Sequence, residues 1–296
     1  METNQTLDDF PSNPNFSALD ISSDMYIETE TGISLYVKDY GRGKPVILIH
    51  GWPLSGEMWE YQIEALVMNN YRVITYDRRG YGKSSQPWDG HDYNSLVEDL
   101  KTVIDELELT DVSLVGFSMG GGEVARYLSR YGSKNISKAV FIASVTPFML
   151  KTEDNPDGIP QEAVDKMAEQ IREDRIGFLD GFGKAFYGVG LLSKPVSAPF
   201  LQHDLMIASG ASPHATLQSL KAFSSTDFRG DLPKIDIPVL MIHGDSDKTV
   251  PIELSSEKAA KLIPDCRYLV YGGAPHGLFY TEKERLNQDL VEFLNT

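Results

Sequence analysis

The sequence is poor in cysteine, in positive charge and in long apolar runs, and each shortage removes a class of protein. One cysteine, Cys266, stands among 296 residues, so no intrachain disulfide can form and no cysteine-based zinc site is offered. Lysine and arginine number 27 against 43 aspartates and glutamates, a formal charge of −16. A surface this acidic repels phosphate backbones and anionic bilayers, which argues against nucleic acid or a membrane as partner. No window approaches the ~20 apolar residues of a transmembrane helix. The N-terminus lacks the basic start and apolar core of a signal peptide, so the expected location is cytoplasmic. Phosphate-cradling glycine patterns, internal repeats and low-complexity tracts are also missing.

What is present is an ordinary globular composition, 41% hydrophobic and 24% charged. It suits one large domain carrying an insertion. Residues 1–23 are polar and acidic and read as a flexible N-terminal arm. From Tyr26 the pattern becomes regular, with a hairpin turning at Thr31-Gly32. Val46-Ile47-Leu48-Ile49 is continuously apolar, as expected of a strand buried on both faces of a parallel sheet. Strands at 71–76, 112–115, 137–143, 237–242 and 266–271 alternate with helical periodicity at 58–69, 95–107, 252–262 and 282–294. That alternation predicts an α/β fold, a mostly parallel doubly wound sheet. It stops between Thr146 and Thr226, where helical pattern and clustered aromatics and methionines predict an inserted helical cap, residues 146–226. The core is then 24–145 together with 227–296. Ligands on such sheets bind at the C-terminal strand ends, below the cap.

One of those ends reads Gly116-Phe117-Ser118-Met119-Gly120, between the strand 112–115 and a helical face of Val124, Ala125 and Leu128. A strand passing into a helix through one residue forces a sharp turn and holds the Ser118 hydroxyl above the sheet in a strained conformation. A side chain at Gly116 or Gly120 would collide with that turn. The helix N-terminus offers free N–H groups to negative charge developing at Ser118. A serine hydroxyl needs a base, usually a histidine oriented by a carboxylate. Of His203, His214, His243 and His276, the last follows the final strand in a glycine- and proline-rich loop and is the expected base. His203 and His214 fall in the cap, and His243 closes a strand as a structural residue. Asp245 and Asp247 share one loop; Asp245 beside Gly244 reads as a turn residue, leaving Asp247 as the expected acid. The N–H groups of Met119 and Trp52 are the expected oxyanion donors. No metal site is expected, since His243 to Asp247 offers no second histidine at helical spacing.

From Tyr26 to Leu294 the chain resembles the cofactor-free haloperoxidase (perhydrolase) and aryl-esterase branch of the α/β-hydrolases. The resemblance is carried by His50-Gly51-Trp52-Pro53-Leu54, Asp77-Arg78-Arg79-Gly80-Tyr81-Gly82, Gly116 to Tyr127, Thr226-Asp227-Phe228-Arg229, His243 to Asp247, and Ala274-Pro275-His276-Gly277. It implies a triad at Ser118, Asp247 and His276, pocket residues at Pro53, Val145, Phe148, Phe182, Phe186, Phe223, Thr249 and Ile252, and no cofactor. It implies hydrolysis of small carboxylic esters through an acyl-enzyme that also accepts hydrogen peroxide and so forms peracids, with the Trp52-Pro53 pair linked to peroxide use. A homo-oligomer is allowed by the same resemblance. A lactonase or C–C bond hydrolase on the same triad, or a binding protein for a small ligand, are the competing readings.

Overall fold

The computed structural model describes residues 23–296, so the expected arm lies outside the described residues apart from Ser23. The chain opens with the hairpin β1 (Ser23–Glu30) and β2 (Ile33–Gly41). It continues through β3 (Lys44–Ile49), β4 (Tyr71–Tyr76), β5 (Val112–Phe117), β6 (Ile136–Ile142), β7 (Val239–Gly244) and β8 (Cys266–Tyr271). These make one eight-stranded sheet in the order β1-β2-β4-β3-β5-β6-β7-β8. The β1–β2 and β2–β4 pairs are antiparallel, and every later pair is parallel.

Three helices precede the nucleophile loop or grow from it: α1 (Glu60–Met68), α2 (Tyr93–Glu106) and α3 (Met119–Tyr131). The period of two along the strands sorts the core into two layers. Val46 and Leu48 of β3 pack with Leu66 of α1, while Ile47 and Ile49 pack with Leu96 and Leu100 of α2 and Val124 of α3. All four β3 side chains are fully buried, each worth about 1.5–3 kcal/mol of transfer free energy. Asp92 starts α2 by accepting the N–H groups of Asn94 and Ser95 at 2.9 and 3.3 Å, which are orphans of the first turn.

Between β6 and β7 lie four helices: α4 (Gln161–Glu173), α5 (Arg175–Phe186), α6 (Ala198–Ser209) and α7 (Pro213–Ser225). The two ends of this excursion meet where Phe228 N–H donates to Pro147 O at 2.8 Å. α7 is tied to the sheet below by Ser212 N–H to Gly80 O at 2.8 Å and by the Trp52 indole N–H to Thr216 O at 3.0 Å.

After β7 the helix expected over 252–262 contracts to the four-residue α8 (Ser256–Ala259). Serine competition explains the contraction. Ser255 Oγ donates to Pro251 O at 2.8 Å, and three-residue turns carry Leu254 N–H to Pro251 O and Ser255 N–H to Ile252 O. The C-terminus forms α9 (Leu278–Thr281) and α10 (Lys283–Leu294), the latter packing beside α1 with Leu286 and Leu290 in the same buried layer as Val46 and Leu48. No described helix is long and apolar enough to cross a membrane.

Candidate active site

Ser118 joins β5 to α3 with φ 53° and ψ −116°. A non-glycine residue there is strained, by about 1–3 kcal/mol, and the surroundings enforce it. A Cβ at Gly116 would lie 2.5 Å from Gly120 O, and one at Gly120 would lie 2.5 Å from Ile49 O. Only glycine allows β3, β5 and α3 to approach this closely. Gly51 is equally confined, since its Cβ would meet the Phe117 ring at 2.6 Å. The turn leaves Ser118 only 5% exposed, with its Oγ directed at His276.

The loops after β7 and β8 are bonded to each other, which brings acid and base together. Asp245 N–H donates to Tyr271 O, Ser246 N–H to Ala274 O, and Gly273 N–H to Asp245 Oδ1 at 2.7 Å. Asp245 is therefore the residue that ties the loops, and Asp247 is the one that reaches the histidine. His276 Nε2 lies 3.0 Å from Ser118 Oγ, and His276 Nδ1 lies 2.5 Å from Asp247 Oδ2. A carboxylate only accepts, so Nδ1 carries the ring proton and Nε2 is free to accept from the serine. Phe117 and Phe186 flank the imidazole, with ring centroids at 5.0 and 4.7 Å.

Asp247 is saturated with donors. Its Oδ1 accepts Thr249 N–H and Val250 N–H, both at 2.8 Å, while Oδ2 is shared by His276 and by His243 Nε2 at 3.1 Å. Burial alone would raise this carboxyl, but the charge of His276 and the bonds from His243 and His276 hold it well below the usual carboxylate range. His243, near the end of β7, braces the acid with its ring. Its Nε2 also bonds Val250 O at 2.9 Å, so that nitrogen donates and Nδ1 accepts from Ser256 Oγ at 2.6 Å.

Of the two expected oxyanion donors, Met119 directly follows the serine and Trp52 lines the cavity over it. Met119 opens α3, where the first N–H groups have no carbonyl a turn earlier to bind. Trp52 follows β3 in the loop that carries the cis Trp52-Pro53 bond. That loop is held from beneath by a buried ion pair that joins two of the sequence motifs, Asp77 to Gly82 and Gly116 to Tyr127. Arg78 donates to His50 O at 2.7 Å and forms an ion pair with Glu123 of α3, at 1% and 0% side-chain exposure. Glu123 also accepts from Tyr76 OH at 2.7 Å. Burial raises the Glu123 carboxyl against the pull of Arg78. Burial and the neighbouring Arg78 charge lower His50 well below its ordinary value. Neutral His50 thus donates from Nδ1 to Gly51 O and accepts Arg78 N–H on Nε2.

An apolar cavity of about 60 Å³ lies over Ser118 and His276. Of the expected pocket residues, Val145, Phe182, Phe223 and Thr249 line it, as does the indole of Trp52. Pro53, Phe148, Phe186 and Ile252 do not. Phe186 packs behind His276. Phe148 is turned under the Arg229 guanidinium at 5.0 Å. Pro53 is buried in the loop beyond Trp52. Ile252 sits past Val250, whose side chain takes the place at the wall. The remaining wall, Met149, Ile159, Val164, Met167, Leu220 and Ser224, comes mostly from the inserted helices. Val164 with Met167, and Leu220 with Phe223 and Ser224, are spaced three and four apart, a helical stripe visible in the sequence. Among the described residues no three His, Cys, Asp or Glu side chains are grouped as a metal site.

Comparison with known proteins gives this geometry its relatives. The bromoperoxidase of Bacillus anthracis superposes with a TM-score of 0.90 at 48% identity, covering 93% of this chain and all of that one. An esterase from Exiguobacterium antarcticum superposes at 0.88 with 36% identity and the same coverage. The bifunctional esterase/perhydrolase of Acinetobacter calcoaceticus is 40% identical over 92% of this chain and 99% of its own length. The alpha/beta hydrolase fold family matches residues 44–283. The strand-turn-helix at Ser118, the sheet order and these similarities have one reading: the chain belongs to the α/β-hydrolase fold family, in its non-haem haloperoxidase and esterase branch.

Proposed function

We propose that the protein is a serine hydrolase of small carboxylic esters that works through an acyl-enzyme and also uses hydrogen peroxide. The observation that carries this is the 3.0 Å approach of Ser118 Oγ to an Asp247-backed His276 beneath an apolar cavity. Ser118 attacks the ester carbonyl as its proton passes to His276 Nε2, and the Asp247 anion stabilises the imidazolium. Negative charge on the carbonyl oxygen is taken up by the N–H groups of Met119 and Trp52. His276 returns the proton to the leaving alcohol, whose oxygen departs with the bonding electrons. Water then attacks the acyl-enzyme and releases the acid, or hydrogen peroxide attacks and releases the peracid. Relatives named as esterases, non-haem haloperoxidases and an esterase/perhydrolase support both outcomes. Residues 146–226 act as the cap, and the small cavity with the Thr249 and Ser224 hydroxyls among its walls favours short acyl groups.

The test is p-nitrophenyl acetate hydrolysis by wild type and Ser118→Ala, with monochlorodimedone bromination in acetate and peroxide run in parallel. Ser118→Ala lowers kcat by about 10⁴-fold or more and abolishes bromination. Ester turnover that survives in Ser118→Ala overturns the mechanism. Bromination that survives while ester turnover is lost removes the peroxide half alone.

A further inference from the structure

Among the buried acids that the mechanism does not use, one lies next to the base. Asp204 of α6 is 8% exposed and accepts from the hydroxyl of Tyr187, itself fully buried, at 2.6 Å. Neither residue lines the cavity. Tyr187 ends α5, and its ring presses on the backbone beside the base: a Cβ at Gly277 would lie 2.3 Å from Tyr187 Cδ1. In the same place Gly277 N–H donates to Phe186 O at 2.8 Å, and the Phe186 ring stands edge-on to His276. A path of direct contacts thus runs from Asp204 through Tyr187 and Gly277 to His276.

Resting on the assignment of His276 as base, we infer that Asp204 and Tyr187 are a positioning pair, holding the end of α5 against Gly277 so that His276 Nε2 stays in line with Ser118 Oγ. A buried carboxylate is a costly way merely to fill space, since an apolar pair of similar volume packs at least as well. What the pair adds is direction, because the hydroxyl-to-carboxylate bond fixes the ring of Tyr187 in one rotation. The opposite end of α5 is tied to α6 by Arg175 Nη2 donating to Ser209 O at 3.2 Å, so the pair decides the placement of the end nearest the base.

Charge on Asp204 governs the strength of that bond, since bonds to an ionised acceptor are shorter and stronger. Burial pushes its carboxyl up to about 6. The groups around it are few. Tyr187 faces it from α5, and His203 flanks it on α6. Glu57, on the 3₁₀ turn Gly56–Trp59 that packs against α6, is engaged by Lys38 at 2.7 Å. On α5, Asp180 and Lys184 pair with each other on the exposed side. Tyr280 of α9 stands near Tyr187, with centroids 6.3 Å apart.

The experiment measures kcat and KM for p-nitrophenyl acetate from pH 5 to 9, and the rate of Ser118 labelling by a fluorophosphonate, in wild type, Tyr187→Phe, Asp204→Asn and Ser118→Ala. Folding is checked by circular dichroism. Tyr187→Phe lowers kcat and the labelling rate about tenfold, with KM changed less than about twofold. Asp204→Asn removes an inflection near pH 6 from the wild-type kcat profile. The inference is overturned by a wild-type kcat in Tyr187→Phe, by a change confined to KM, or by identical pH profiles in wild type and Asp204→Asn. Losses that only track the unfolded fraction overturn it as well. Should Tyr187→Phe not fold, the Asp204→Asn profile decides. If Ser118→Ala still turns over ester, the catalytic assignment itself has failed; if Ser118→Ala is inactive and Tyr187→Phe is not impaired, only the positioning role has.

Discussion

Below the serine, the polar groups are buried in pairs. Arg78 meets Glu123, Arg79 meets Asp99 at 2.6 Å, and Asp247 meets two histidines. Above it, the cavity walls are mostly Val, Ile, Leu, Met and Phe side chains, about half of them on the inserted helices. The lower region is held by directional bonds that admit one arrangement. The upper, the Tyr187–Asp204 bond apart, closes over the substrate by packing, which tolerates exchange among apolar residues of similar volume. The contrast teaches where chemistry and substrate choice are written. The reacting groups depend on bonds that a single substitution breaks, and the acyl pocket depends on volumes that can be traded.

The largest effect should come from breaking the lower region. Glu123→Gln leaves the Arg78 guanidinium, 1% exposed, without its counter-charge and costs about 3–5 kcal/mol, read as a lowered denaturant midpoint. A loss near zero would mean that the ion pair does not hold the loop under Trp52. Next, the two buried acids should respond to pH in opposite senses. Asp247 is lowered on folding, so its contribution is present above about pH 4 and lost as pH falls through its folded value. Asp204 is raised to about 6, so its contribution is full below about pH 4 and lost as pH rises through 6. Asp204→Asn therefore stabilises the protein at pH 8, by up to about 3 kcal/mol, and makes little difference at pH 4. A thermal melting difference independent of pH would contradict this. The smallest effect concerns the upper region. Phe223→Ala shifts the ratio of kcat/KM for p-nitrophenyl hexanoate over acetate upward by about tenfold. An unchanged ratio would show that Phe223 does not limit acyl length.

The same division explains what could be read from the chain. The turn at Ser118 is legible because it is local: a strand, two glycines and a helix within a dozen residues admit one backbone path. His276 beside Asp247 is nearly so, because consecutive parallel strands bring their loops to one edge. Arg78 and Glu123 are 45 residues apart, and nothing in either neighbourhood announces the pair. For the pocket, residue type is visible but direction is not. Phe182 and Phe186 are one helical turn apart on α5, yet Phe182 faces the cavity and Phe186 backs onto the imidazole. The side on which each falls depends on how α5 crosses the sheet, a tertiary choice. The short α8 is a different failure, in which three-residue turns replace the first helical turn and the Ser256 hydroxyl bonds His243 instead of its own backbone.

The neck at Pro147 and Phe228 has a consequence for how such proteins diverge. Both ends of an eighty-residue excursion leave the sheet through one hydrogen bond's width. A segment of another length or shape can be grafted there without disturbing the strand register on either side. The host asks a short list of contacts of the graft: a carbonyl for the Trp52 indole, an N–H for Gly80, a carbonyl for Gly277 N–H with rings packed beside His276, and a wall for the space above the serine. The same scaffold can therefore acquire new substrates by exchanging its roof while the foundations stay as they are.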